Sequence, residues 1–511
     1  MKKIIFLLAS LAVSAGLFAQ TADDALTLTE EYYEGTARSM AMGGAFTALG
    51  GDLGALSINP ASSGVFRCSQ FTFTPELSTS RSTANYLGNT QSTRYTGLNV
   101  SNVGVVLTFD TDKYSGLVNF NFGFVYNKQN NYRSSMKVYG STDNSSMLSS
   151  IAAGLEGIDK SELEKSTFTS GIPWPSQLAW NAYVLAPLSV LGGKYADVND
   201  AYIASTENYN AETDELRIGG MLNQRFTRKT YGSNRDFSIN FGGNFSDFLY
   251  FGANLNMLSV NRTTEEYYEE KAQNDKSFDD GFVSMDNSYW LRTTGSGLNL
   301  KFGVIVAPIA GLRLGATITT PTWYKLNDEW DYTMNTAFNN GHTYTEYSPT
   351  GTYEYRITAP MRWSLGAAYT FLDRGLVSFD YESVNNGDLM LKELNGNTSR
   401  MFQEENNIIE STFLRSHILR AGCEIRLNDM FSLRGGYQYY SPTVKNTDGV
   451  RVYSAGLGFC PTPALSIDLG WNRSSTQTEN FQLYDDYDVA APQGVNRYGI
   501  NRVVCTFGLK F

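Results

Sequence analysis

Side chains that could carry out hydrolytic or redox chemistry are scarce in this sequence and lie far apart. The 511 residues contain two histidines, His342 and His417, and neither belongs to an HExxH or GxSxG motif. Two isolated histidines are also poor candidates for the axial ligands of a haem. We therefore predict no catalytic residue, no bound metal and no cofactor.

The four cysteines, Cys68, Cys423, Cys460 and Cys505, are widely spaced and form no CxxC pair. This spacing favours isolated small apolar residues over a disulfide framework or a metal site. The glycine-rich run MGGAFTALGGD is not a phosphate-binding loop, because no Lys-Ser/Thr pair follows it.

Composition and the N-terminus predict an exported protein. Residues 1–19 carry two lysines, a short apolar core and a small residue before Gln20, which is typical of a signal peptide. Its removal changes the net charge from −11 to −11 − 2 = −13, and an acidic chain with no basic block argues against nucleic acid as a partner. No run of 18 apolar residues follows, whereas 32 Tyr, 30 Phe and 47 Gly suit an outer-membrane β-barrel.

Residues 71–511 repeat an alternation of apolar and polar residues that is typical of amphipathic strands, about fourteen in number, the first near 71–80. Phe120, Phe122 and Phe124 show the apolar face of one such strand. The opposite faces are polar, so we predict that apolar faces contact lipid and polar faces the lumen. The candidate charges of this lumen are Arg362, Arg420, Glu424 and Arg434.

Short turns alternate with long loops along the whole chain, which places all turns at one end and all loops at the other. A sandwich with crossover connections would mix the two lengths. The sequence therefore predicts an all-β fold, an up-and-down antiparallel transmembrane barrel with periplasmic turns and extracellular loops. The terminal Phe511 on an amphipathic last strand suits recognition by the barrel-assembly machinery. The predicted loops are 81–95, 128–225, 263–288, 321–354, 384–410, 441–450 and 475–497.

The loop 128–225 is too long to be a plain connection and is predicted to be partly helical and extracellular. In its first half Met147, Ile151 and Leu155 recur at helical spacing. Its second half is apolar nearly all round and allows two interpretations. It is either a helical cap that packs on itself or an apolar vestibule that collects ligand. The candidate vestibule residues are Trp174, Leu178, Trp180 and Tyr183.

Residues 20–70 differ in kind, being rich in glycine and small residues without alternation. Within them ARSMAMGGAFTALGGDLGALSINPAS combines a glycine-rich run, Asp52 and then Asn59-Pro60-Ala61. This stretch resembles the N-terminal hatch of the FadL family, the outer-membrane transporters of long-chain fatty acids and other hydrophobic compounds. We expect the segment to pack inside the lumen, with Asn59 and Pro60 forming a tight turn.

The resemblance implies a fourteen-stranded barrel in the outer membrane of a Gram-negative bacterium, sealed by the hatch. It also implies passive movement of fatty acids or other hydrophobic small molecules, which leave sideways through a kinked third strand. We further expect Asp52 to pair with Arg362, Arg420 or Arg434. Two alternatives remain: a plugged barrel acting as a surface receptor or adhesin without transport, and a water-filled porin. The largest insertion here lies in the second outward loop, whereas family members usually place ligand-collecting helices later.

Overall fold

The computed structural model describes residues 21–168, 171–371 and 374–511; the predicted signal peptide 1–19 lies outside them. Within these residues, fourteen antiparallel strands form a closed barrel, with the first strand paired to the last through contacts such as Phe73 with Phe507. Closure removes the unpaired edges that an open sheet would expose. The strands are β1 (Gln70–Tyr86), β2 (Asn89–Asp110), β3 (Leu117–Asn131 and Ser134–Thr142), β4 (Leu222–Phe245), β5 (Leu249–Ala272), β6 (Phe282–Ile309), β7 (Leu312–Thr319 and Thr322–Phe338), β8 (Gly351–Ala359 and Arg362–Phe371), β9 (Gly375–Asn385), β10 (Arg415–Arg426), β11 (Phe431–Tyr440), β12 (Val450–Thr462), β13 (Leu465–Ser474 and Gln477–Gln482) and β14 (Gln493–Lys510).

The two faces of each strand differ as the alternation predicts. Phe302 is 47% exposed on the outer surface, whereas the next residue back, Lys301, is 3% exposed and points inward. Leu300 and Leu298 continue the exposed apolar face of β6. An outer surface of large apolar side chains around a closed barrel belongs in a lipid bilayer, so the predicted orientation is confirmed.

In the described residues, the predicted alternation of short turns and long loops holds for the outward connections after the first, but the loop boundaries differ from those predicted. The predicted loop 81–95 is wrong, because β1 and β2 continue as one long hairpin that turns at Leu87 and Gly88, both with positive φ. Strands likewise occupy much of the predicted loops 263–288, 321–354 and 475–497. The strands extend beyond the bilayer, where the outward face becomes polar while residues such as Tyr86 and Leu326 remain buried on the inward face.

Strand β3 is interrupted at Tyr132 and Arg133, and its pairing differs on its two sides. With β4 it pairs along both pieces. With β2 it pairs only from Asn119 to Asn127, and no described residue of its second piece shares a ladder with β2. The wall between β2 and the upper part of β3 is therefore closed by side chains rather than by backbone hydrogen bonds. We call this region the β2–β3 seam.

The predicted insertion 128–225 shrinks to residues 143–221, since both of its ends are strand. It contains the helices α3 (Met147–Gly154), α4 (Lys160–Glu164) and α5 (Trp174–Asn181), which confirms the predicted partly helical character. Two short hairpins complete it, and we call this unit the cap. Outside the cap lie α1 (Ala22–Thr29) and α2 (Ala37–Ala41) before the barrel and α6 (Arg400–Thr412) in a later loop.

Among the described residues, no helix combines the length and the apolar character that crossing a bilayer requires.

Candidate functional site

The N-terminal segment, residues 21–69, runs through the lumen from the loop end to the turn end of the barrel. Its helix α1 packs under the loops, where the backbone N–H of Ala22 donates to Glu405 of α6 at 2.7 Å. Helix α2 packs against β11 to β14, while the 3₁₀ helix Pro60–Val65 packs against β3 to β6 on the other side. A single segment that contacts opposite walls fills the space between them.

The Asn-Pro-Ala motif forms the predicted turn and also fastens the segment to the wall. The side-chain oxygen of Asn59 accepts from the Ala61 N–H at 2.9 Å, which caps the 3₁₀ helix that Pro60 begins. Its amide group donates to the Thr47 carbonyl at 2.6 Å and to the Val304 carbonyl of β6 at 3.3 Å. Asn59 is 0% exposed, so each of these bonds replaces a bond to water.

Small residues on the wall allow this close approach. A Cβ atom on Gly252 of β5 would overlap the backbone of Pro60. Next to it, Asn240 of β4 donates its side-chain amide to the Pro60 carbonyl at 3.0 Å. Ala61 is fully buried against Tyr250 and Ile305, where a larger side chain would not fit. The motif therefore works by shape and by backbone hydrogen bonds.

The expected pairing of Asp52 with Arg362, Arg420 or Arg434 is wrong. The Asp52 carboxylate accepts from the Thr36 hydroxyl at 2.7 and 2.9 Å and from the Gly54 N–H at 2.8 Å. It thus joins two parts of the N-terminal segment and contacts none of the three arginines. A carboxylate that accepts backbone and hydroxyl hydrogen bonds in this way stabilises the conformation of its own loop.

Other charged residues of the segment make the contacts to the wall. They pair with buried or half-buried side chains of opposite charge on widely separated strands. The pairs are Asp24 with Arg262 at 2.6 Å, Glu31 with Arg362 at 3.7 Å, Glu34 with Lys128 at 2.8 Å and Arg502 at 3.0 Å, and Arg38 with Glu424 at 2.8 Å. Glu31 and Glu34 were not among the predicted site residues, although the acidic run in TEEYYEG beside a glycine-rich stretch was a usable signal.

The structure places all four predicted luminal charges inside the barrel and in two networks. Arg362 and Arg420 both contact Glu382, at 3.3 and 2.8 Å. The Arg420 guanidinium is 0% exposed and lies 4.6 Å from the centre of the Tyr33 ring of the segment. In the second network, Arg434 contacts Glu424 at 2.6 Å and Asp468 at 2.5 Å.

A cavity of about 660 Å³ lies in the loop half of the lumen, between the N-terminal segment and the cap. Asp24 and Tyr32 belong to its floor, and Met147 of α3 to its roof. Both aromatic rings and ion pairs line it, so it suits a molecule with an apolar body and a polar group. Its aromatic wall residues are Tyr132, Phe226, Tyr268, Tyr289, Tyr332 and Tyr498, and its charged ones beyond Asp24 are Glu30, Arg133, Arg228, Arg262, Glu266, Glu479 and Arg502.

The cavity reaches the β2–β3 seam, because residues 130–136 on both sides of the β3 interruption line it. Arg133 lies across this seam, with its guanidinium 5.1 Å from the centre of the Tyr95 ring of β2. A Cβ atom on Gly97 would overlap that guanidinium, so glycine leaves the space that Arg133 occupies. Arg133 and Thr93, whose hydroxyl donates to the Ser135 carbonyl, thus contribute to closing the part of the wall that lacks a backbone ladder.

The four predicted vestibule residues lie in the cap and not around the cavity. Leu178 is 0% exposed in the core of the cap, and Trp180 packs edge-on against Tyr202. Trp174 packs against Trp330 of β7 with ring centres 5.5 Å apart, whereas Tyr183 is 64% exposed. This arrangement favours the self-packed cap over an open apolar vestibule.

A buried carboxylate at the top of β5 is one of the contacts that hold the cap over the cavity, beside bonds such as that from the Thr336 hydroxyl to the Ala182 carbonyl. Glu270 accepts from the Ser146 hydroxyl at 2.6 Å and from the Met147 N–H at 2.8 Å, which together fix the start of α3. Gln224 and Tyr268 donate to the same carboxylate at 3.0 and 2.6 Å. Glu270 was not predicted because its strand carries several acidic residues, and nothing in the local sequence distinguishes it from Glu265, Glu266 and Glu269.

The histidines and cysteines, the residues best suited to chemistry, remain apart in the structure. His417 Nδ1 lies 2.7 Å from the Tyr381 hydroxyl on the outer surface, and His342 is exposed in a loop. The four cysteines are free, as predicted. In the described part of the chain, no group of three or more His, Cys, Asp and Glu side chains could hold a metal ion.

Comparison with solved structures identifies the same architecture elsewhere. The Pseudomonas putida toluene transporter TodX is 14% identical, with 94% of this chain and 99% of that chain covered and a TM-score of 0.51. A Pseudomonas aeruginosa FadL homologue is 12% identical, with 94% and 99% covered and a TM-score of 0.54. No protein-family profile matches the sequence, and no curated protein matches it either. The fold is thus that of FadL-type barrels, which confirms the predicted architecture.

Proposed function

We propose that this chain is an outer-membrane channel of the FadL family for the passive uptake of small hydrophobic or amphiphilic molecules. The observation that carries the proposal is a cavity of about 660 Å³ that ends at the N-terminal segment on one side and at the β2–β3 seam on another. Ligand sites of proteins commonly have about 300–1,000 Å³. The N-terminal segment serves as the hatch.

The mechanism needs no energy source. A ligand leaves the outer surface between the loops and is stabilised in the cavity by about 25 cal/mol per Å² of apolar surface removed from water. Its polar group lies among the ion pairs of the wall. It then leaves either past the N-terminal segment or through the seam, where Arg133 must move but no backbone ladder has to open. Long-chain fatty acids fit this chemistry, since they combine an apolar chain with one carboxylate.

A water-filled porin is a poor alternative, because the N-terminal segment contacts opposite walls of the lumen. A receptor or adhesin is the stronger rival, since the compact cap covers the cavity. A receptor and the proposed channel differ in one measurable respect, which is whether solute crosses the membrane. A receptor binds at the surface and transports nothing.

Uptake of labelled oleate by cells that lack their own transporter tests the proposal. Thr264 is 6% exposed and lines the cavity, so Thr264→Trp should narrow it and Thr264→Val should leave its size unchanged. We expect Thr264→Trp to reduce uptake about tenfold, which corresponds to about 1.4 kcal/mol, and Thr264→Val to stay close to the unaltered chain. Heat-dependent gel mobility confirms that both variants are folded. Equal uptake by the two variants would exclude the cavity as the route.

A further inference from the structure

At the turn end of the barrel lies a second cavity, of about 570 Å³, on the other side of the N-terminal segment. We call it the basic mouth, because six of its lining residues are cationic. In the described residues that line it, Glu424 is the one acidic side chain. The protein as a whole is acidic, so this concentration of positive charge is not a property of its average surface. The six cations are Arg38, Arg67, Arg313, Arg374, Arg426 and Lys510.

Three of these cations have partners within the protein. Arg38 pairs with Glu424 at 2.8 Å, and Arg67 pairs with Asp247. Arg313 donates to the Leu49 carbonyl at 2.6 Å. These contacts fix the side chains in place but neutralise only part of the charge, since Glu424 is itself shared with Arg434.

The other three cations are Arg374, Arg426 and Lys510, all of them exposed. Among the residues that the structure describes, no carboxylate lies within 4 Å of their charged groups. Arg426 belongs to the same strand face as the buried Glu424, and Lys510 to the same face as the buried Thr506, so the strand pleat directs both toward the mouth. Leu49, Val65 and Leu376 add apolar surface to its wall.

From this arrangement we propose that the basic mouth is a binding site for a small amphiphilic anion, one with a single carboxylate or phosphate head and a short apolar tail. Converging cations raise the local concentration of anions by about 10- to 1,000-fold in clefts of this kind. The apolar part of the wall provides the surface on which a tail would lie. The inference goes beyond the proposed channel, because a permanently sealed barrel would carry the same site.

A native cysteine allows a direct test. Cys68 is exposed and lines the basic mouth, while Cys460 is exposed at the same end of the barrel and is not among its lining residues. Two variants, each keeping one of these cysteines and carrying alanine at the other three cysteine positions, are labelled as folded protein in detergent. Each is treated with an anionic and with a cationic methanethiosulfonate. The ratio of the two rates cancels differences in thiolate content and access, and reports the local potential.

We expect the anionic-to-cationic rate ratio at Cys68 to exceed that at Cys460 by about tenfold, and to fall as salt screens the field. Replacing the three exposed cations together, as Arg374→Gln, Arg426→Gln and Lys510→Gln, should bring the ratio at Cys68 close to that at Cys460. Equal ratios at the two cysteines of the unsubstituted chain would overturn the proposal. These measurements involve no transport, so their result is independent of whether the chain is a channel.

Protection of Cys68 from the anionic reagent identifies the ligand chemistry. Octanoate should protect, and octanol, which has the same tail without charge, should not. Inorganic phosphate tests the head alone. Protection by octanoate at lower concentration than phosphate assigns the site to an amphiphile, and the reverse order assigns it to a free anion. Equal protection by octanol and octanoate would show an apolar site and overturn the proposal.

Discussion

Glu34 of the N-terminal segment lies 2.8 Å from Lys128 of β3, and both side chains are 2% exposed. Lys128 also contacts Glu76 of β1 at 2.6 Å, and Glu34 also contacts Arg502 of β14 at 3.0 Å. One carboxylate of the segment thus joins two strands on either side of the barrel closure. Such a contact holds the segment only while the charges on both sides are balanced.

The first prediction concerns this balance. Glu34→Gln leaves Lys128 paired with Glu76 and removes the carboxylate with which Arg502 pairs, and breaking a buried pair costs about 3–5 kcal/mol. We expect a folded barrel whose N-terminal segment is loosened, measured as ion conductance in a planar bilayer. Glu34→Gln combined with Lys128→Gln removes one charge of each sign and should leak less than the single variant. A double variant that leaks as much as Glu34→Gln would show that packing, and not charge, holds the segment.

The Asn-Pro-Ala motif yields a second prediction. Asn59→Ala with Pro60→Ala removes the cap of the 3₁₀ helix, the contact to the Val304 carbonyl and the donor to the Thr47 carbonyl, at about 1–3 kcal/mol for a buried group left unpaired. We expect normal gel mobility with altered oleate uptake or a leak to small solutes. Pro60→Ala alone keeps every Asn59 hydrogen bond and serves as the control. A folded double variant that transports normally and stays sealed would reduce the motif to a turn.

Orientation in the membrane is tested on a single strand. Arginine at Phe302, in the exposed apolar band of β6, should reduce the free energy of unfolding by about 2–4 kcal/mol at the bilayer midplane. Thr294 points to the same side and lies eight residues before Phe302, close to the natural outward Arg292. Thr294→Arg should therefore reduce the free energy of unfolding by about 1 kcal/mol or less. Urea unfolding in lipid vesicles gives both values. Similar losses for the two variants would contradict the assigned position of the bilayer.

The fourth prediction separates the two interpretations of the cap. Trp174 packs against Phe168, Trp330 and Tyr332, so Trp174→Ala should cost the cap about 3 kcal/mol or more of packing. Limited proteolysis should then cut within residues 143–221 while the barrel keeps its gel mobility. Tyr183→Ala, at an exposed position, should leave the cleavage pattern unchanged. If the exposed Tyr183 collects ligand, Tyr183→Ala should instead lower oleate uptake without affecting proteolysis.

Hydrophobic alternation was sufficient for the architecture and for the direction of each strand face. Phe302 and Lys301 are adjacent, and their opposite character alone places one in lipid and the other in the lumen. The bilayer imposes this alternation on every spanning strand, because any polar group on the lipid face is costly. Outside the bilayer the alternation is no longer required. For that reason the β1–β2 hairpin, whose outward face is polar at residues 81–95, was predicted as a loop.

The site depended on contacts that the sequence does not encode locally. Asp52 bonds Thr36, sixteen residues away, and Arg362 pairs both with Glu382 of the neighbouring strand β9 and with Glu31, which only the path of the N-terminal segment brings close. The basic mouth is an extreme case, since its cations come from the N-terminal segment and from the ends of several strands. Periodicity reports which face a residue occupies. Which charges meet inside the lumen is decided by strand register and by the path of the segment, and these exist only in the closed barrel.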